Sequence, residues 1–148
     1  MAKSFKIGNR LIGENFPPVV IAEVGINHNG SLDLAIHLSE VAIKSGAEII
    51  KHQTHIADKE MSVEAKNIVP GNSKIDIFTI IKNSQLSEND EFKLARFITQ
   101  KKKFLLVHLF VGRQLIDWKK LVFLPIRLVL ENAIIILWLS IFVKRKNQ

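Results

Sequence analysis

Short apolar runs alternate with amphipathic segments over the first hundred residues of the chain. The run Val19–Val24 is β-branched and apolar at nearly every position, which predicts a buried parallel strand. Ser31 can cap a following helix, and Gly46 stands where such a helix would end. The apolar face of that helix is predicted to carry Leu34, Leu38, Val41 and Ala42. A second apolar run, Ala47–Ile50, completes a β-α-β unit of the expected length.

Three further segments have recognisable patterns on either side of this unit. Phe5–Ile7 and Arg10–Ile12 flank a Gly-Asn pair, which predicts a small N-terminal hairpin. Ile75–Ile81 is predicted to be a short helix. Ser87 opens another helix, with Phe92, Ala95 and Phe97 on its buried face. The order of elements predicts a parallel α/β fold preceded by a hairpin.

Composition and charge narrow the possible functions. The chain has 148 residues, whereas a complete α/β barrel has about 250. Residues 1–103 hold 14 basic and 12 acidic residues, and residues 104–148 hold 7 basic and 2 acidic, so the basic excess lies in the tail. No basic stripe with interleaved aromatic residues is present, and we expect no nucleic-acid partner. Cysteine is absent, which excludes disulfides and thiolate chemistry. The first ten residues lack an apolar signal region, so a cytoplasmic protein is expected.

Polar residues cluster where the predicted strands end. Glu23 and a Gly25–Gly30 loop follow the first strand, Lys51–His55 follows the second, and Asn72 lies in a third loop. In parallel α/β folds, sites form beyond the carboxyl ends of the strands. A carboxylate, a lysine and several amides at one such edge indicate a small anionic substrate.

Each of these residues also has a purely structural interpretation. Lys51 could be a surface ion-pair partner, while Glu23, placed in an apolar strand, needs either a partner or a chemical role. His28, His52 and His55 could bind a metal, but their spacing matches no standard site and favours helix-capping or loop roles. His37 is expected to face solvent.

Three ordered motifs resemble the sialic acid synthase family. They are IAEVGINHNG at residues 21–30, GAEIIKHQTH at residues 46–55 and VPGN at residues 69–72, within a resemblance that covers about residues 5–103. The KHQTH form, where many relatives carry Phe in place of His, is most similar to the bacterial N-acetylneuraminate enzymes. The resemblance implies a TIM barrel, here the incomplete N-terminal part of a (β/α)8 barrel. It also implies condensation of phosphoenolpyruvate with N-acetylmannosamine, with release of phosphate, in carbohydrate biosynthesis such as that of capsule or lipopolysaccharide.

The same resemblance implies roles for four residues. Glu23 would be the catalytic or orienting carboxylate, Lys51 would bind the phosphate or carboxylate of phosphoenolpyruvate, and Gln53 and Asn72 would hold the sugar. A divalent ion, Mn²⁺ or Mg²⁺, would polarise the sugar aldehyde, but its histidine ligands lie in the second half of the family's barrel and no metal ligand is assigned here. Family members tend to form homodimers. Which nonulosonic acid is made is left open.

The tail departs from the family. Where the family continues with a strand resembling IFISTPFSRAAADRL, the chain reads FLLVHLFVGRQLIDW. The degenerate code permits residues 103–138 to be read one base out of frame as family-like sequence; codons for Leu128–Ile136, for example, can contain GSGECNNY. We therefore interpret residues 104–148 as an out-of-frame translation after a net one-base loss near Gln100–Lys103, and expect an inactive, aggregation-prone product.

A membrane anchor is the alternative interpretation of the tail. Residues 121–143 form a mostly apolar span of about bilayer length, flanked by lysine and arginine. Pro125, Arg127, Glu131 and Asn132 interrupt this span, so membrane association is not the favoured interpretation. It would nevertheless make the chain a small membrane-associated protein and not a remnant of an enzyme.

Overall fold

The computed structural model describes residues 4–110, 125–130 and 133–138. Strands β1 (Ser4–Ile7) and β2 (Arg10–Gly13) form the predicted antiparallel hairpin around Gly8, whose φ of +57° suits glycine. Arg10 ties the hairpin to the rest of the fold, since its Nε donates to Oε2 of Glu48 at 2.8 Å. That hydrogen bond lowers the pKa of the Glu48 carboxyl below its usual value.

A five-stranded sheet with the order β3-β4-β5-β7-β6 forms the centre of the fold. Strands β3 (Ile21–Gly25), β4 (Ile49–His55) and β5 (Phe104–Phe110) are parallel, whereas β6 (Pro125–Leu130) and β7 (Ala133–Trp138) form an antiparallel hairpin that pairs with β5 through β7. The predicted parallel α/β class is therefore found for the first three strands of this sheet. Closure into a TIM barrel stays a prediction.

Helices α1 (Leu32–Lys44) and α4 (Glu88–Gln100) lie in the crossovers between the parallel strands and cover one face of the sheet. The core between them and the strands includes Ile50, Leu94, Ile98, Leu105 and Val107, all at most 2% exposed. The short helices α2 (Ala57–Glu60) and α3 (Ile77–Asn83), with a 3-10 turn at Val63–Asn67, surround a second, smaller apolar cluster.

The buried face of α1 matches the prediction in part, since Leu38 and Ala42 pack against the core as expected. Ser31 caps the helix as expected, its hydroxyl accepting from the Leu34 amide, but Leu34 and Val41 are 36% and 48% exposed. The residues fully buried on this helix are Ala35 and Ser39. Small side chains let the helix approach the sheet closely, and the Ser39 hydroxyl is satisfied by donating to the Ala35 carbonyl at 2.7 Å. Hydrophobicity alone could not identify a buried serine.

The buried face of α4 also shifts from the prediction. Ser87 caps the helix through the Asp90 amide, yet the buried residues are Glu91, Leu94, Ala95 and Ile98. Of the predicted face, Ala95 is buried and Phe97 packs at the edge of the core, while Phe92 is only partly buried. The buried positions follow a regular helical spacing that begins at Glu91, and this turns a carboxylate towards the sheet.

Two strands and one helix have different bounds from those predicted. Strand β3 begins at Ile21, two residues later than predicted. Ile21 and the preceding Val20 are 48% and 54% exposed, because among the described strands β3 pairs only with β4. Strand β4 continues through His55, so Lys51–His55 form the strand and do not follow it. Helix α3 begins two residues later than predicted, because Asp76 caps it by accepting from the Thr79 amide and hydroxyl, both at 2.8 Å.

Part of the tail joins the sheet. Strand β5 starts at Phe104 and supplies Leu105 and Val107 to the core, since alternate apolar residues satisfy a buried sheet face whatever their origin. Within residues 121–143, the described portions are β6 and β7, and the rest of that span lies outside the described residues. In the part of the chain that the structure describes, no helix combines the length and apolarity needed to cross a bilayer.

Candidate functional site

The sheet face opposite the helices carries most of the predicted site residues. Successive strand side chains point to opposite faces, so Ile50, His52 and Thr54 of β4 turn towards the helices, and Lys51, Gln53 and His55 turn the other way. The parallel register places Glu23 of β3 directly beside Lys51. Strand pairing, and not sequence proximity, therefore assembles the carboxylate, the ammonium and the amide on one surface.

Glu23 and Lys51 form an ion pair, with Lys51 Nζ 2.5 Å from Glu23 Oε2. The side chains are 45% and 28% exposed, so both charges remain open to solvent or to a ligand. The pair supplies the partner that a carboxylate in an apolar strand requires. It also agrees with the alternative interpretation of Lys51 as a surface ion-pair partner. Because an exposed pair contributes at most about 1 kcal/mol to stability, a ligand anion could compete for the ammonium.

Gly25 brings the loop after β3 close to this pair. Its φ is +55°, and the register between β3 and β4 shifts at this point. A Cβ at this position would stand 3.5 Å from Glu23 Oε1 and 3.7 Å from Gln53 Nε2. A glycine at this position lets the backbone approach the site closely.

Gln53 is held by a residue that the sequence analysis assigned to a loop or metal role. His55 Nε2 lies 3.4 Å from Gln53 Oε1, and His55 Nδ1 lies 2.8 Å from Glu60 Oε1 on α2. The His55 ring stacks on Phe110 of β5 with centroids 4.4 Å apart. Glu60, His55 and Gln53 thus form a continuous polar chain that ends at the candidate site.

His108 of β5 is a site neighbour that the sequence analysis missed. It pairs in register with Gln53, and its ring stacks on Phe110 at 4.1 Å. Burial, followed by the nearby Lys51 and His55, lowers the pKa of its imidazole. His108 lies in the segment interpreted as an out-of-frame tail, and only the strand register brings it beside Gln53.

A separate buried group lies on the helix side of the sheet. His28 and His52 are both 0% exposed, with ring centroids 5.1 Å apart. His52 Nε2 is 2.9 Å from Glu91 Oε2, and the Thr54 hydroxyl donates to Glu91 Oε1 at 3.0 Å. Desolvation, reinforced by His52 and His55, lowers the pKa of His28 to about 4. Its Nδ1 accepts from the Gly30 amide at 3.2 Å, which favours the loop role over a metal role.

Asn72, the fourth predicted site residue, makes no hydrogen bond with Glu23, Lys51 or Gln53, and its place in the site stays a prediction. It lies exposed in the turn between the 3-10 segment and α3. No hydrogen bond links its side chain to the described part of the chain. Among the residues that the structure describes, no three His, Cys, Asp or Glu side chains are placed to hold a metal ion. Glu23, Lys51 and Gln53 therefore form the candidate site.

Comparison with known proteins confirms the resemblance found in the motifs, although no family model matches. The chain is 37% identical over 89 residues to N,N'-diacetyllegionaminic acid synthase of Legionella pneumophila, a match covering 56% of this chain and 24% of the relative. It is 43% identical over 56 residues to the spore coat polysaccharide biosynthesis protein SpsE of Bacillus subtilis, covering 38% and 15% respectively.

A solved structure gives the same result for the fold. The N-acetylneuraminic acid synthetase of Leptospira borgpetersenii, in complex with citrate, superposes with a TM-score of 0.60 at 23% identity, over 72% of this chain and 34% of that one. The chain thus matches a quarter or less of the length of its curated relatives. The similarity is to part of a sialic acid synthase-type protein.

Proposed function

We propose that this chain carries part of the active-site surface of a sialic acid synthase-type enzyme of carbohydrate biosynthesis. The reaction would be condensation of phosphoenolpyruvate with N-acetylmannosamine to N-acetylneuraminate, with release of phosphate. The observation that supports this most directly is the Glu23–Lys51 pair beside Gln53 on one open sheet face. The names of the relatives support the same class of reaction.

The chemistry assigns each side chain a separate task. Lys51, whose side chain is 28% exposed, would release Glu23 and bind the phosphate or carboxylate of phosphoenolpyruvate with its ammonium. The Gln53 amide would hydrogen-bond the sugar. Glu23, released from the lysine, would become the free carboxylate nearest the reacting carbons. C3 of phosphoenolpyruvate would attack the sugar aldehyde, water would add at C2, and phosphate would leave to give the C2 ketone. Asn72 would hold the sugar together with Gln53.

The metal implied by the resemblance does not fit the described residues. These residues contain no cluster of three ligand side chains and could not hold Mn²⁺ or Mg²⁺ by themselves. Histidines beyond the resembling segment would have to supply that site. We accordingly propose that the 148-residue chain is inactive by itself, and that residues 104–148 are the out-of-frame continuation of a synthase gene. A cytoplasmic location and homodimer formation belong to the same proposal.

Resequencing the gene across the codons for Gln100–Leu105 is the first test. We expect a one-base insertion there to open a frame that continues with family-like sequence. The 148-residue chain and the frame-restored protein are then assayed for phosphate release from phosphoenolpyruvate, N-acetylmannosamine and Mn²⁺. We expect turnover only from the restored protein, abolished by Lys51→Met and unaffected by His37→Asn on the exposed side of α1. Turnover by the 148-residue chain would refute the proposed inactivity.

A second candidate differs only in the sugar. Two relatives are named N,N'-diacetyllegionaminic acid synthase, including one from Campylobacter jejuni that is 48% identical over 48 residues. The corresponding substrate would be a diacetamido sugar in place of N-acetylmannosamine. Competition between the two sugars for turnover by the restored protein separates the candidates. Loss of turnover in Lys51→Met with either sugar would support the proposed class of reaction.

A further inference from the structure

The chain of polar contacts from Glu60 through His55 to Gln53 has a directional consequence. A carboxylate only accepts hydrogen bonds, so Nδ1 of His55, 2.8 and 3.1 Å from the two Glu60 oxygens, carries a proton. Nε2 then carries a second proton only when the ring is an imidazolium. Glu60 therefore fixes the neutral ring as the Nδ1–H tautomer, and Nε2 is the nitrogen that gains or loses a proton.

The amide of Gln53 must match whichever form Nε2 takes. Protonated Nε2 is a donor and needs the amide oxygen opposite it, which is the arrangement with Oε1 at 3.4 Å. Unprotonated Nε2 is an acceptor and needs the amide NH₂ instead. The two arrangements differ by a half-turn of the terminal amide, which costs little in packing because its oxygen and nitrogen ends have nearly the same shape.

The other end of the amide faces the candidate site. A Cβ on Gly25 would stand 3.7 Å from Gln53 Nε2 and 3.5 Å from Glu23 Oε1, so this end lies beside the Glu23–Lys51 pair. A half-turn of the amide would replace a donor with an acceptor there. A ligand carbonyl or carboxylate would prefer the first arrangement, and a ligand amide N–H the second.

The surroundings of His55 keep its ring in place. Its ring and that of Phe110 are nearly parallel, at 3°, with centroids 4.4 Å apart. His55 is 9% exposed. Glu60 of α2 contacts the ring directly, and the nearby titratable groups are His108 of β5 and, on the helix side of the sheet, His28 of the β3–α1 loop. A ring fixed by stacking and by Glu60 cannot turn Nε2 away from Gln53.

We propose that His55, oriented by Glu60, is a positioning residue that determines whether Gln53 presents a hydrogen-bond donor or acceptor to the ligand. The proposal rests on the proposed function at one point, the contact between Gln53 and the substrate. The coupling between His55 and Gln53 needs no ligand, so it can be tested whether or not the protein turns over substrate.

The test is ¹⁵N NMR of the full 148-residue chain without ligand, recorded between pH 5 and 8.5 in solution or by magic-angle spinning. Signals are assigned by their loss in His55→Phe and Gln53→Ala. We expect the Gln53 side-chain amide signals to move with pH at the same midpoint as the His55 ring nitrogens. This response should be lost in His55→Phe, whose ring preserves the stack on Phe110, and unchanged in His37→Asn.

Glu60→Gln provides a second readout. An amide can either donate or accept, so this variant should leave a mixture of His55 tautomers where the parent has the Nδ1–H form alone. The proposal would be overturned by a Gln53 amide that stays constant while His55 titrates, by a Gln53 response that survives in His55→Phe, or by an unchanged tautomer in Glu60→Gln. If His55→Phe does not fold, the proposal is decided by the His55 tautomer in Glu60→Gln and by whether the Gln53 amide and the His55 ring share one midpoint in the parent protein. Absence of turnover in the restored protein would refute the proposed function and leave this result standing.

Discussion

Replacing His28 by Asn is expected to remove much of the acid sensitivity of the folded chain. His28 is 0% exposed, and burial together with His52 and His55 lowers its pKa from 6.5 to about 4. The unfolded chain therefore binds a proton at this position at a pH where the folded chain does not. The stability that this difference confers is complete above pH 6.5 and is lost as the pH falls towards 4.

The size of the effect follows from the two pKa values. A pKa difference of one corresponds to about 1.4 kcal/mol, so the interval from 6.5 to about 4 corresponds to about 3 kcal/mol. Asn can keep the contact with the Gly30 amide, because its side-chain oxygen can replace Nδ1 as acceptor. We expect His28→Asn to cost about 1–2 kcal/mol at pH 7.5 through lost packing, and to lose less stability than the parent on acidification.

The assay is urea unfolding of parent and variant at intervals between pH 7.5 and 4, followed by circular dichroism. Carboxyl groups with lowered pKa, such as those of Glu48 and Asp76, also make both folded proteins less stable in acid. The informative quantity is therefore the difference in the free energy of unfolding between parent and variant at each pH. His37→Asn, at an exposed position, should reproduce the parent's curve. Equal pH dependence in His28→Asn and the parent would refute the argument that buried neutral His28 carries this effect.

Three further predictions concern stability. Lys51→Met should change the free energy of unfolding by less than about 1 kcal/mol in urea titrations, because the pair it breaks is partly exposed, and a larger loss would show that the pair is structural. Gly30→Ala should cost about 2–4 kcal/mol by the same assay, since a Cβ would meet the Asn83 carbonyl oxygen at a φ of +76°. Gly46→Ala, at φ +101° with nothing within 4 Å, should cost about 1 kcal/mol, and equal costs would contradict the clash. Glu91→Ala should lower the thermal midpoint more than Glu91→Gln, because only the glutamine amide keeps an acceptor for the buried side chains of His52 and Thr54. Equal midpoints in the two variants would contradict the importance of these hydrogen bonds.

Local patterns predicted the hairpin, the first two parallel strands and the helices α1, α3 and α4, and they singled out the candidate site residues of β3 and β4. The Gly-Asn pair gave the hairpin its turn, and Ser31 and Ser87 cap their helices as predicted, since each device acts within a few residues of chain. Glu23, Lys51 and Gln53 were recognisable as polar residues in apolar surroundings. Their roles in substrate binding remain predictions, as do the metal ion, the out-of-frame origin of the tail and the barrel.

Only the tertiary structure decided which residues meet. The rotation of α4 turned Glu91 towards His52, and the strand register placed His108 beside Gln53, although neither relation has a signal in the sequence. Asn72, predicted with the other site residues, stayed in an exposed turn. The physical reason is the distance along the chain over which each interaction acts. Caps, turns and periodicity depend on residues that are neighbours in sequence. Helix rotation, strand register and loop placement depend instead on how distant segments share one core.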